Sequence, residues 1–167
     1  MSESEPVPPP AQVGGRHRAR EVALQVLYAI DLRADQPEPQ QRDPEVAGAA
    51  TSCVVRGDEV FDQIAGNFVV PSSATQFARE LVAAVLDRSA ELDELLGTHA
   101  KNWRVARMAA VDRNVLRIAV YELRDTETPV AVVIDEAVDL ARRFGSDSSS
   151  SFVNGVLDAV AREVRAS

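Results

Sequence analysis

Arg16, His17, Arg18 and Arg20 stand together with no acid before Glu21, in a chain of 167 residues whose formal net charge is -8. Guanidinium groups at that spacing can grip phosphate oxygens in bidentate pairs. Gln25 lies seven residues beyond Arg18, on nearly the same face of a helix, and Tyr28 follows one turn later. Charge, amide and ring in that order suit a single-stranded nucleic acid, whose phosphates meet arginine and whose unstacked bases meet aromatic faces. A solvated helix start with Tyr28 in the core fits the same spacing, which leaves both readings open. The overall charge opposes generic binding to polyanions, so any basic patch has to be local.

Residues that usually carry catalysis are sparse. His17 and His99 are the only histidines, and neither stands at a metal-ligand spacing. Cys53 is alone, which excludes an intramolecular disulfide and a cysteine zinc site and favours a reducing compartment, the cytoplasm by default. No glycine-rich phosphate loop occurs, and Gly14-Gly15 reads as a flexible hinge. Asp135 and Glu136 have the composition of a carboxylate pair, but acids in the first turns of a helix more often complement its dipole. Ser148 to Ser151 have no accompanying histidine and read as a loop with an N-cap. Gly155, inside the last helical pattern, costs about 1 kcal/mol relative to alanine and so marks a close helix contact or the approach of a ligand to the backbone. No catalytic residue, metal ligand or cofactor is expected, and the chain reads as a binding protein rather than an enzyme.

The elements that must position these residues are helices. The length suits one domain, or two small helical subdomains sharing a core. Residues 1–15, with Pro8, Pro9 and Pro10 and no apolar core of a secretory signal, read as a disordered tail, and no run is long enough to span a membrane. Ala23, Val26, Leu27 and Ile30 predict a helix over 18–32, closed before Pro37 and Pro39. Between Glu45 and Phe68 the pattern suggests a short helix or two, interrupted by Gly57 and Gly66. Phe77, Leu81, Val85, Leu92 and Leu96 carry a helical pattern to Gly97, bent near Ser89, and Trp103 and Met108 fall in a connection. Val111, Val115, Ile118 and Ala119 predict a helix over 111–123 with Arg113, Arg117 and Arg124 on its other side. Thr128 can cap the next helix, Pro129 suits its first position, and Gly145 can stop it in the left-handed conformation. Between those ends Val130, Val133, Ile134, Ala137, Val138, Ala141 and Phe144 form one apolar stripe. A last helix opens near Ser150 or Ser151 and buries Val153, Val156, Leu157, Val160 and Val164. The fold is expected to be all-α with about six or seven helices.

Three blocks then converge on one resemblance. Arg16-His17-Arg18-Ala19-Arg20-Glu21 with Ala23, Gln25, Leu27 and Tyr28 resembles the N-terminal motif of the bacterial transcription antitermination factor NusB family. Val115-Leu116-Arg117-Ile118-Ala119-Val120-Tyr121-Glu122-Leu123 is similar to that family's central helix. Asp135-Glu136-Ala137 through Phe144-Gly145 to Phe152-Val153-Asn154-Gly155-Val156-Leu157-Asp158 is similar to its C-terminal helix pair. The resemblance covers most of Arg16 to Arg165 and implies about seven helices in two packed bundles. These would form a single helical RNA-binding domain over 16–167, with an N-terminal bundle over about 16–100 and a C-terminal bundle over about 101–167. It implies a factor without catalytic activity that binds boxA RNA of ribosomal RNA leader transcripts together with NusE, a small-subunit ribosomal protein, in an RNA polymerase antitermination complex. It further implies RNA contacts from Arg16, Arg18, Arg20, Gln25, Tyr28, Phe152 and Asn154, and partner contacts from Asp112 and Ser148.

Two other functions share such a fold. One is an RNA-targeting accessory domain like that preceding ribosomal RNA cytosine-5 methyltransferases, which would need a further cofactor-binding domain, whereas this sequence stops at Ser167. The other is a helical adaptor that binds protein only and would show no RNA affinity.

Overall fold

The computed structural model describes residues 13–34, 49–68, 70–101 and 103–166. Among them are seven α-helices and one 3-10 turn, with no strand: α1 (Val13–Ala34), α2 (Ala49–Ala65), α3 (Ser72–Asp87), α4 (Ser89–His99), the turn Val105–Arg107, α5 (Ala110–Asp125), α6 (Val130–Phe144) and α7 (Ser149–Ala166). The all-α expectation holds.

α5 is the axle of the fold. Val115, Leu116, Ile118, Ala119, Val120 and Leu123 are all buried, so the helix is apolar around most of its circumference and packs on α1, α3, α4, α6 and α7. α1, α2 and α3 pack on one another at one end of the chain, while α4, α6 and α7 gather around α5 at the other. The helical spacings in the sequence carry through: Ala23, Val26 and Leu27 of α1, Val133, Ala137 and Ala141 of α6, and Val153, Val156, Leu157 and Val160 of α7 share one core. Leu140, outside the expected stripe of α6, joins them. Removing one such leucine costs about 2–5 kcal/mol, because the cavity left behind relaxes only in part.

Helix ends depart from expectation where tertiary contacts decide. α1 starts at Val13, so Gly14 and Gly15 belong to its first turn and form no hinge; residues 1–12 of the expected tail lie outside the described residues. The stretch around Gly57 is one continuous helix, and only Gly66 interrupts the pattern, its N–H bonding to the Asp62 carbonyl at 3.2 Å just past α2. The bend expected near Ser89 is a full break: Arg88, at φ -109° and ψ 16°, closes α3 and opens α4, which runs on through Gly97 to His99. α6 takes Pro129, not Thr128, as its cap residue, with the Pro129 carbonyl accepting the Val133 N–H at 3.1 Å. The Thr128 hydroxyl instead bonds that of Thr126 at 3.0 Å. Gly145 is extended, at φ -93° and ψ -166°, and not left-handed. Space, rather than handedness, requires glycine there: a Cβ would lie 2.4 Å from Ser149 Oγ and 2.6 Å from the Ala141 carbonyl oxygen.

Candidate nucleic-acid interface

The basic arm forms the first half of α1, and the helix sorts its side chains by direction. Arg16 is exposed, its guanidinium 5.2 Å from the Phe77 ring of α3, and it has no acidic partner among the described residues. The Arg18 side chain is 48% exposed and donates to Glu21 at 2.7 Å. His17 bridges to α6, with Nδ1 2.6 Å from Glu136 Oε2 and Nε2 3.2 Å from Glu21 Oε1. Glu21 is buried and also receives Arg143 of α6. Glu136 and Asp135 sit beyond the first turn of α6, so the dipole role expected for the pair does not apply; Glu136 is instead an acceptor for the arm.

Arg20 is the correction within the expected RNA set. Its side chain is 3% exposed and faces the core, where Nε donates to Glu122 Oε2 at 2.8 Å and Nη2 to Oε1 at 2.7 Å. Glu136 Oε2 lies 3.7 Å from the same guanidinium. Burial alone would lower the Arg20 pKa, but hydrogen bonding and charge from Glu122, with a smaller contribution from Glu136, raise it. A guanidinium so enclosed cannot reach a phosphate. The signal was in the spacing: Arg20, Ala23, Leu24 and Leu27 follow i, i+3, i+4, i+7, which places the arginine on the apolar stripe. Glu122 stands likewise seven residues after Val115 on the buried face of α5.

Beyond the arm, Gln25 is half-buried and Tyr28 is 38% exposed. Both line a groove of about 630 Å³ together with Phe68, Val111 and Phe144. The structure thus gathers α1, the end of α2, the start of α5 and the end of α6 around two amides, Gln25 and Asn67, and several rings. Phe144, expected on the buried stripe of α6, is exposed instead, and Phe68 is half-buried; neither reads as a groove residue from the sequence, because their place on the rim depends on how the helices meet.

Asp112 follows Val111 in the first turn of α5; it is only 9% exposed, and its Oδ1 is buried without a hydrogen-bond partner. Ser148 is exposed at the start of α7, while the neighbouring Ser149 is buried and accepts the Ser146 N–H at 2.9 Å. Phe152 is half-buried and meets Trp103 edge-on, with ring centroids 5.6 Å apart at 62°. Asn154 and Gly155, two and three residues on, are exposed, and a Cβ at Gly155 would meet nothing within 4 Å. The close helix contact considered for Gly155 is therefore absent, leaving its backbone open to solvent. α7 packs on α4, α5 and α6, and Phe152 and Asn154 are not among the residues that line the groove beside Tyr28.

Other charged groups of α5 tie the helices together. Arg113 donates to Asp31 of α1 at 2.9 Å, Asn114 donates to the same oxygen at 2.9 Å, and Arg117 makes a bidentate pair with Asp93 of α4 at 2.7 and 2.6 Å. Among the described residues no group of His, Cys, Asp and Glu can hold a metal ion, and no helix is long and apolar enough to cross a membrane.

Comparison with known proteins supports the same direction. The model of the NusB family matches residues 17–162. The transcription antitermination protein NusB of Solibacter usitatus is 40% identical over 152 residues, covering 91% of this chain and 92% of its own. That of Anaeromyxobacter dehalogenans is 42% identical over 146 residues, covering 87% and 89%. Among solved structures, T. maritima NusB matches with a TM-score of 0.69 at 30% identity, covering 89% of this chain and 91% of that one. A chain from the crystal structure of the antitermination factors NusB and NusE in complex with dsRNA matches with a TM-score of 0.71 at 26% identity, covering 91% and 99%.

Proposed function

Because the chain belongs to the NusB family, a family of antitermination proteins and not of enzymes, we propose that it binds the boxA element of ribosomal RNA leader transcripts together with NusE and so supports processive transcription by RNA polymerase. The observation that carries this reading is the run along α1 from the exposed Arg16 and Arg18 to the groove holding Gln25 and Tyr28. Guanidinium groups take the phosphates of the strand, the Gln25 amide can both donate to and accept from a base edge, and the Tyr28 ring offers a face to an unstacked base. Phe152 and Asn154 add a second patch at the start of α7. Arg20 acts through the fold: its pair with Glu122 fixes α1 on α5 and thereby the direction of Arg16, Arg18 and Gln25.

Asp112 and Ser148 are the contacts proposed for NusE. A buried carboxylate oxygen without a donor costs about 1–3 kcal/mol, and a donor supplied by a docked basic protein would satisfy it. The related complex contains double-stranded RNA, but the exposed rings here have most to gain from unpaired bases. Titration of boxA-like, scrambled and duplex RNA, each with and without NusE, tests the proposal. Preference for the boxA-like single strand is expected; equal affinity for the scrambled strand would overturn the sequence-specific part.

A further inference from the structure

The connection between α4 and α5 is the second cation-rich stretch of this acidic chain, and the arm at Arg16 does not explain it. From Glu94 to Asp112 the sequence has no acid, yet it carries Lys101, Arg104 and Arg107 around Trp103. All four side chains are exposed, Trp103 to 58%. None of the three cations has an acidic partner among the described residues, whereas Arg113, Arg117 and Arg124 of the following helix are all held by carboxylates.

Backbone hydrogen bonds hold the described residues of this connection. Trp103 N–H bonds to the Ala100 carbonyl at 3.0 Å, Arg107 N–H to that of Arg104 at 2.9 Å, and Met108 N–H to that of Val105 at 3.2 Å. Ala100 and Met108 anchor the two ends in the core. Arg104 and Arg107 therefore stand one 3-10 turn apart. The exposed indole presents a flat apolar ring face to solvent among those cations. Here its edge contact with Phe152 holds the ring, and Gly155, three residues further along the same side of α7, is exposed with nothing within 4 Å of where a Cβ would stand.

We infer that this connection is a second RNA-binding element, in which Trp103 stacks on a base of a single strand while Lys101, Arg104 and Arg107 take its phosphates. The inference rests on the proposed RNA-binding function and extends the same footprint to residues outside the α1 arm. Charge complementarity selects the occupant: three free cations in a chain of net charge -8 suit a polyanion, and an aromatic face between them suits an unpaired base. A protein partner with an acidic face is the competing occupant.

Trp103 is the sole tryptophan, so its intrinsic fluorescence reports on this surface directly. Titrating the full chain with boxA-like single-stranded RNA should quench that emission in step with binding followed by a labelled RNA. Trp103→Leu should weaken binding about tenfold, within the range expected for one stacked base. The triple variant Lys101→Ala, Arg104→Ala, Arg107→Ala should flatten the slope of log affinity against log salt by about 2, at roughly 0.7 for each phosphate contact on a single strand. Both variants should keep the helicity and melting temperature of the parent chain. RNA binding by the parent with no change in its fluorescence, and equal affinity in both variants, would overturn the inference and leave the α1 site standing. Loss of NusE affinity alone in the variants would make the face a protein contact and overturn it too. Absence of RNA binding by the parent chain, with and without NusE, would overturn this inference and the proposed function together.

Discussion

Arg20 and Glu122, 102 residues apart in sequence, meet in the core as a two-pronged ion pair at 2.7 and 2.8 Å, joining α1 to α5. Breaking such a pair strands a charge where water cannot reach it, which typically costs about 3–5 kcal/mol. Arg20→Ala and Glu122→Ala should each lower stability by that order in denaturant unfolding. The double variant should lose clearly less than the two single losses added, because neither charge is then left alone. Strict additivity would show that the pair does not act as a unit.

Arg16 and Arg18 invite the opposite outcome. Both are exposed, and their contacts, a ring at 5.2 Å and Glu21 at 2.7 Å, lie at the rim of the fold. Replacing both with alanine should change stability by less than about 0.5 kcal/mol, as surface substitutions usually do. RNA affinity should fall and its salt dependence should flatten. Unchanged affinity with unchanged helicity would remove the arm from the interface.

Phe152 separates stacking from packing. It is half-buried, and its ring contact is with Trp103, itself exposed. Phe152→Ala should therefore cost less stability than the 3–5 kcal/mol typical, roughly, of truncating a fully buried phenylalanine. It should weaken RNA binding by about 1–3 kcal/mol if one base stacks there. A large drop in melting temperature with intact RNA binding by the remaining folded protein would make the residue structural.

Two glycines of the last helix pair should respond in opposite senses. Gly145→Ala would force a Cβ to within 2.4 Å of Ser149 Oγ and 2.6 Å of the Ala141 carbonyl oxygen, and the accommodating shift should cost about 1–3 kcal/mol. Gly155→Ala adds a Cβ to open space in a helix interior, which should raise stability by up to about 1 kcal/mol. Thermal melts of the two single variants check both signs. A loss of stability on Gly155→Ala would mean that its backbone is not free.

Periodicity made the helices and most of the core legible, because burial of a stripe every three or four residues is a property of each segment by itself. The arginines were harder to separate. Arg18 and Arg20 lie two residues apart, about 200° around a helix, so one faces solvent and the other the core, and only the position of Arg20 on the stripe of Ala23, Leu24 and Leu27 distinguishes them. Gly145 was legible as a stop but not by its mechanism, since the obstacle is Ser149 on the next helix. The Tyr28 groove is built from four helices, and no local pattern encodes how they meet. Trp103 was visible only as a residue of a connection until the structure set it against Phe152.

The last expectation follows from the conflict between a net charge of -8 and a polyanionic ligand. Arg16 and Arg18 can hold a few phosphates, but Arg18 already shares its charge with Glu21 and the summed field of the chain opposes the strand. The isolated protein should accordingly bind RNA with modest affinity. If NusE docks beside Asp112 and Ser148, it neutralises part of that acidic surface and brings contacts of its own to the same RNA. The two proteins together should then bind boxA-like RNA more tightly than either alone, and by linkage the RNA should strengthen the protein pair by the same factor. The affinity of the pair should also fall more steeply with salt, because more phosphates are neutralised. Asp112→Asn keeps the shape of the side chain and removes its charge, so it should weaken the NusE contact while leaving RNA binding by this chain alone nearly unchanged. Titrations of labelled RNA at several salt concentrations, with and without NusE and with both forms of this chain, measure each term. Equal RNA affinity with and without NusE would remove the cooperative mechanism, even with the RNA surface of this chain intact.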